Sequence, residues 1–510
     1  MMLRRLTINV LRLAVGVVTA GLIVSCSATP PLGIGGQPGP IAVLEPADGV
    51  VYPIDLAPPL FRWEGPATGR WLLTITAQDR PDALRLNVTE NPWVPSPTTW
   101  SRMKSLAPGT TLSMTVMPSD GRRAAAGTVH FSISPIPLAC RVVYQELPVP
   151  FGFAERHVDQ FRWRVLRPEA SGPPETVLTR VPYCGNCHIF SRDGSVFGLD
   201  MDYRGDRGGY VLADVAGKMD LRKKDVISWN DYLPGDGKIS RGLFAKISPS
   251  GDYVIATVKE RPFLVRIDDP AYSQLFFPLT GHLVYYSRSS GTIRALPGAD
   301  ERSLVQTSPA WSPDGNTIAF ARAKAPANLW AALGTKNLLD AEPGEDIHTL
   351  NRKYRMRFDL WQVPFAAGAG GTPVPLAGAS DNDRSNYFPR YSPDGRWIVF
   401  CQADTGLVSQ PDSRLMIVAS DGGAARRMAC NRPELNSWHS FSPNGRWMVF
   451  SSKPDDSRLT RVFLTYLDEN GIDRPAIRLH RIGTPGFAAI LPEAVGLSGD
   501  AFRQVRLVEP

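Results

Sequence analysis

Cys184-Gly-Asn-Cys187-His188 is the stretch whose side chains could do chemistry. Two thiols three positions apart can each add to one vinyl group of a single haem. An imidazole directly after the second thiol can then bind the iron from the proximal side. The spacing predicts a covalent haem c held by Cys184 and Cys187, with His188 on the haem iron. In an oxidising compartment the same cysteines could instead close a small disulfide loop. No second CxxC pair follows, so a four-cysteine zinc site is not indicated. Met201 offers a thioether that could fill the sixth iron position, and His157 is a weaker candidate in a polar segment. Asp200, Asp202 and Asp206 could give oxygens to a calcium ion, but at no EF-hand spacing. A solvated acidic loop fits them as well.

The element that must position these groups is a repeat. Five copies stand out, the first running straight on from His188. They are Phe190-Ser-Arg-Asp-Gly-Ser-Val-Phe197, Ile247-Ser-Pro-Ser-Gly-Asp-Tyr-Val254, Trp311-Ser-Pro-Asp-Gly-Asn-Thr-Ile-Ala-Phe320, Tyr391-Ser-Pro-Asp-Gly-Arg-Trp-Ile-Val-Phe400 and Phe441-Ser-Pro-Asn-Gly-Arg-Trp-Met-Val-Phe450. In four of the five, proline presets φ at the second turn position, and in all of them glycine accepts a positive φ at the end of the turn. The strand after each turn is apolar on both faces, as in a sheet stacked between two neighbours. A fixed self-similar unit of this kind specifies a β-propeller. Residues 325–356 interrupt the third copy and read as a short helix and a surface loop.

The repeats resemble the blades of TolB-type propellers over about residues 184–480. The chain also resembles exported bacterial proteins that pair CxxCH with such repeats. Residues 183–194, Pro297-Gly-Ala-Asp300, Asp412-Ser-Arg-Leu415 and Asn436-Ser-Trp-His-Ser-Phe-Ser-Pro-Asn-Gly445 carry that likeness. It implies a propeller over 184–510, and the five copies with the flanking strands suggest six blades, five or seven being the alternatives. Repeat alignment adds a sixth-ligand candidate. His188 lies six residues before Gly194, and His439 lies six residues before Gly445. Equivalent positions of two blades could face one end of the channel, so His188 and His439 could bind one iron from opposite sides. His439 could equally pack beside Trp438.

The N-terminus reads as a leader. Arg4, Arg5 and Arg12 precede an apolar run from Leu13 to Val24, which ends at Ser25-Cys26. Ile23-Val24-Ser25-Cys26 resembles a bacterial lipobox, which implies a leader over 1–26, lipid on Cys26 and a place in the cell envelope. Residues 27–40 form a Pro/Gly tether. Residues 41–135 read as a small β sandwich of fibronectin or immunoglobulin type, with strands at Phe61-Arg-Trp63, Trp71-Leu-Leu-Thr-Ile75 and Leu112-Ser-Met-Thr-Val116. Residues 136–183 read as a connector whose strands could close a ring. The expected class is therefore all-β.

The net charge of +7 includes the three leader arginines and no leader acids, so export leaves about +4. No Lys/Arg run is dense enough to indicate nucleic acid. Cys401 and Cys430 could pair, or stay as buried thiols. No nucleophile elbow, HExxH or Walker loop is present. The first functional expectation is an exported, lipid-anchored monohaem cytochrome serving electron transfer or haem-based sensing with a redox partner. The second is an envelope scaffold that binds a protein or ligand without a redox role. A haem or metal enzyme is a third, with no reaction specified.

Overall fold

The computed structural model describes residues 41–508 apart from 66–68, 78–79, 107–108, 120–125, 182–184, 267–273, 337–338, 341–346, 409 and 456–457. The leader, Cys26, the tether and Cys184 lie outside the described residues.

The first domain is a sandwich. Its larger sheet runs Val50–Pro53, Gly127–Ser134, Thr111–Pro118, Trp71–Ala77 and Arg80–Val88, with the first pair parallel. Trp71–Ala77 and Thr111–Pro118 alternate buried and half-buried residues, the period of two that a one-sided sheet requires. Ala42–Glu45 and Arg62–Glu64 form the small second sheet. A helix, Pro97–Leu106, lies between the two longest strand pairs where the sequence reading expected only strands and turns. Its first turn is capped by the Ser96 hydroxyl, which accepts from the Thr99 N–H at 3.1 Å. Trp100 anchors it by donating to the Leu56 carbonyl at 2.8 Å.

Six four-stranded sheets follow among the described residues. Blade 1 is Gly185–Phe190, Val196–Met201, Gly209–Asp214 and Val226–Ser228; blade 2 is Leu243–Ile247, Tyr253–Val258, His282–Ser287 and Thr292–Ala295. Blade 3 is Val305–Trp311, Thr317–Ala323, Asp359–Pro364 and Val374–Pro375; blade 4 is Ser385–Tyr391, Trp397–Ala403, Arg414–Ala419 and Arg426–Arg427. Blade 5 is Ser437–Phe441, Trp447–Ser452, Arg461–Tyr466 and Ile477–Arg478. Blade 6 takes its first strand, Phe487–Val495, from the C-terminal end and its outer three, Arg141–Pro148, Arg162–Leu166 and Glu175–Thr179, from the segment before blade 1. The first strands of successive blades touch in a complete cycle, so they enclose a channel. The propeller thus starts at Arg141, and the stretch read as a connector is most of its last blade.

The repeat's serine explains the turn. In four copies its hydroxyl donates to the Asp or Asn two residues on, at 2.5–2.7 Å. In all five it accepts the N–H of the residue that opens the next strand, at 2.9–3.1 Å. The turn glycines 194, 251, 315, 395 and 445 all have positive φ, between 71° and 81°.

Two further features set the shape. Blade 5 shares one buried core with the sandwich, in which Trp447, Val449 and Leu464 pack with Val50, Tyr52 and Leu138. The 325–356 insertion contributes Leu339–Asp340, which pairs in parallel with Pro262–Arg266 of a hairpin inserted in blade 2. Leu329, Leu333 and Leu350 are buried with Phe263 and Phe277 in the same core, so the two insertions make one packed unit rather than a surface loop.

Glu146 ties the ring closed. It is fully buried and meets Arg162 at 3.2 Å and Arg164 at 3.3 Å, and accepts from the Thr484 hydroxyl at 2.9 Å. Removing one partner of a buried pair costs about 3–5 kcal/mol. Because both arginines keep some solvent contact, Glu146→Ala should cost about 2–3 kcal/mol in urea unfolding. An unchanged midpoint would show that the pair does not support closure.

Candidate functional site

The channel gathers the chemically interesting side chains. Each of the six first strands carries a β-bulge part-way along its length, upstream of its turn or the equivalent corner, where the register slips. At five of these bulges a residue other than glycine holds a positive φ: Phe244 (58°), Ser308 (54°), Phe388 (50°), Trp438 (50°) and Leu491 (53°). Such a conformation costs about 1–3 kcal/mol and persists only where the surroundings impose it. The bulge re-aims the side chain, and these five line one end of the channel. The rings of Phe244 and Phe388 meet edge to face at 5.0 Å, and Phe276 from the inserted hairpin meets Phe244 at 6.4 Å. This bulge end is stoppered, leaving a cavity of about 50 Å³.

Cys187, His188 and His439 border the same cavity. The structure therefore brings together three groups that the sequence singled out. Each imidazole uses its Nε2 in a bond to a backbone carbonyl, while His188 Nδ1 is buried without a partner. His188 Nε2 faces the Val143 carbonyl at 3.3 Å, and His439 Nε2 faces the Val399 carbonyl at 2.9 Å. Val143 and Val399 sit in the second strands of the preceding blades, so the repeat equivalence of the histidines corresponds to one shared inter-blade hydrogen bond. Burial holds His188 near 4 and His439 near 3, so both stay neutral at ordinary pH.

Of the attachment motif, Cys187 and His188 are described, and as the strands pack here the cavity they border is small. The space beside His188 is that of one or two waters. Cys187 lies within a strand paired to Val196–Met201, and its thiol, pushed up to about 12 by burial, bonds the Asp200 carboxyl. Met201 is not turned to the channel but packs with Phe197, Leu199 and Tyr203. His157 stacks on Phe153 at 4.0 Å. Of the two alternative sixth ligands, His439 borders the same cavity as His188, whereas Met201 lies in the core of blade 1.

The other candidates also separate. Asp206 accepts from the Asn230 amide at 2.7 Å, whereas Asp200 faces Cys187, and among the described residues no His/Cys/Asp/Glu group of three could hold a metal. Cys401 and Cys430 are free thiols, not a disulfide. Cys401 lies 3.9 Å from His439 Nδ1, but its thiol is pushed up to about 12 by burial, so the pair is not a thiolate nucleophile.

The sequence reading missed the waist and the opposite mouth. Lys246, Arg390 and Glu493 border both the stoppered cavity and a second one of about 150 Å³ at the turn end. Arg390 pairs with Glu493 at 2.7 Å. Burial, then Arg390, lowers Lys246 to about 8. The signal was present in the repeat: Lys246 and Arg390 stand two residues before the turn serine, where other copies have Ile189, Ala310 and Ser440. Arg192 stands where the other turns have Pro249, Pro313, Pro393 and Pro443. A larger cleft, of about 810 Å³, lies on the outer surface between Glu175–Thr179 and Gln504–Leu507, rimmed by exposed Arg180, Lys218 and Arg506.

Six blades enclosing a channel, joined to a β-sandwich domain, define a six-bladed β-propeller protein. No protein-family model matches the chain, and no match is found among curated proteins. Among solved structures it is similar to TolB from Acinetobacter baumannii, at 13% identity, covering 76% of this chain and 80% of that one, with a TM-score of 0.42. It is also similar to an oligogalacturonate lyase in complex with manganese, at 15% identity, 60% and 69% coverage and a TM-score of 0.37. Kuenenia stuttgartiensis hydrazine synthase matches at 11% identity, 72% and 48% coverage and a TM-score of 0.40. At these values the likeness concerns the fold.

Protein matured beside the haem attachment machinery should carry no covalent haem after denaturing electrophoresis and haem staining. A stained band lost in Cys187→Ala would overturn the geometry of blade 1.

Proposed function

We propose that the protein is an exported binding scaffold of the cell envelope, working through the turn end of its propeller. The asymmetry of the channel carries this reading. One end is filled by Phe244, Phe388, Trp438 and Leu491 and backed by the inserted unit, while the other opens between the turns onto Lys246, Arg390 and Glu493. A rigid ring with one closed and one open, charged end suits recognition, and polar groups converging in a concave site are what binding sites share. The β-sandwich domain, joined to blade 5 through a common core, adds a second surface on the same rigid body. The basic leader and Ser25-Cys26 support export and lipid attachment at Cys26.

Two measurements test this. Cys26→Ala should abolish incorporation of labelled palmitate and release the protein from membranes; retained label would remove the anchor. A photo-crosslinking residue at exposed Asp314, on the turn end, should give a discrete adduct in intact cells, and one at exposed Lys218 should not. Adducts only from Lys218, or from neither, would overturn the assignment of the working face.

A further inference from the structure

We propose that the turn end of the channel binds a small monocarboxylate with a compact apolar body. The site is built from the repeat. Its floor holds two cations, Lys246 and Arg390, and one acid, Glu493. Glu493 is engaged with Arg390 at 2.7 Å. Among the described residues the Lys246 ammonium has no ion-pair or hydrogen-bond partner, while its backbone carbonyl accepts from Trp311 Nε1 at 3.1 Å. One positive charge at the bottom of the cavity therefore has carboxyls nearby, Glu493 and Asp200, but none in contact with it. A ligand carboxylate supplies that contact through charge-assisted hydrogen bonds.

The walls are mixed: Ile247, Ala310, Trp311 and Phe441 give apolar surface, Tyr391 and Ser440 polar groups, with the turn prolines above them. The volume, about 150 Å³, is that of a cavity able to hold a benzene-sized molecule. A single carboxylate suits the floor, because a second would face Glu493. At the rim, Arg192 donates to the Pro313 carbonyl at 3.1 Å and the Pro393 carbonyl at 3.0 Å. The guanidinium of blade 1 thus crosses the mouth to blades 3 and 4. Arg192 is exposed and, among the described residues, bonds to turn carbonyls, so it acts as a strap that a ligand must pass.

The proposal rests on the scaffold reading only in placing the working surface at the turn end. Benzoate is the probe, titrated calorimetrically into the full mature protein at constant ionic strength, with benzamide and sulfate as controls. Benzoate should bind saturably at one site, and benzamide should not. Lys246→Gln should weaken benzoate about tenfold or more, the loss of one charge-assisted bond, with an unchanged unfolding midpoint. Arg192→Ala should speed association and leave affinity within a few-fold. Arg390, Glu493, Cys187 and Asp200 face Lys246, and affinity should fall as pH rises through about 8, where the ammonium is lost. The proposal is overturned if benzoate gives no saturable heat, if benzamide or sulfate binds equally well, or if Lys246→Gln retains full affinity. Binding only of a peptide with a free C-terminal carboxylate would overturn it in favour of a docked chain end. A failed titration leaves the crosslinking result standing, and a failed crosslink leaves the titration standing.

Discussion

The antiparallel pairing of Phe487–Val495 with Arg141–Pro148 is the constraint on which the rest of the molecule depends. It joins segments from opposite ends of the propeller sequence into one blade, and that blade completes the cycle of inner strands. An open ring would leave the first strands of blades 1 and 5 without a neighbour on one side, and the apolar faces of both blades would meet water. Arg141 strengthens the closure by donating to the Ala501 carbonyl at 2.6 Å. The closure also orders the sandwich, since Leu138 and Val142 sit in the core that the sandwich shares with blade 5. Closing a loop this long carries an entropic cost that grows only slowly with length, so extensive strand pairing can offset it.

With the ring closed, six first strands line one channel, and the register of each slips once along its length. Each bulge inserts a residue, bends the strand and turns one side chain inward, at a backbone cost that a non-glycine residue would not bear in an exposed loop. The same geometry explains the histidines. The residue after the bulged Trp438 is His439, which is carried beside the second strand of blade 4 and donates to a carbonyl there; His188 occupies the matching place between blades 6 and 1. Proline fills the equivalent position at 309, 389 and 492. Where a blade has no N–H to offer across the gap it packs; where it has an imidazole it bonds.

The turn end follows a different logic. Its side chains face the channel, where burial weakens the Lys246 charge and Arg390 and Glu493 hold each other as an ion pair. Lys246 and Arg390 lie on different blades with blade 3 between them, and Glu493 comes from the closing strand. No local stretch of sequence contains more than one of them. The charged floor is a product of ring closure as much as the channel itself.

The sequence by itself determined the blade. Ser-Pro-Asp-Gly sets a turn through short-range hydrogen bonds and backbone preferences, and the apolar run after it can only be a strand buried on both faces. The equivalence of His188 and His439 was legible for the same reason, since a repeat places equal positions at equal radii. What only the tertiary structure decided is what those positions meet. Whether an imidazole finds iron or a carbonyl, whether Cys401 finds Cys430, and whether three scattered charges share a floor all depend on distances between blades, and residues tens of positions apart carry no local signal of those distances. The sixth blade was legible only as ring-closing strands without the turn motif; which strands they pair with is decided across the whole length of the ring.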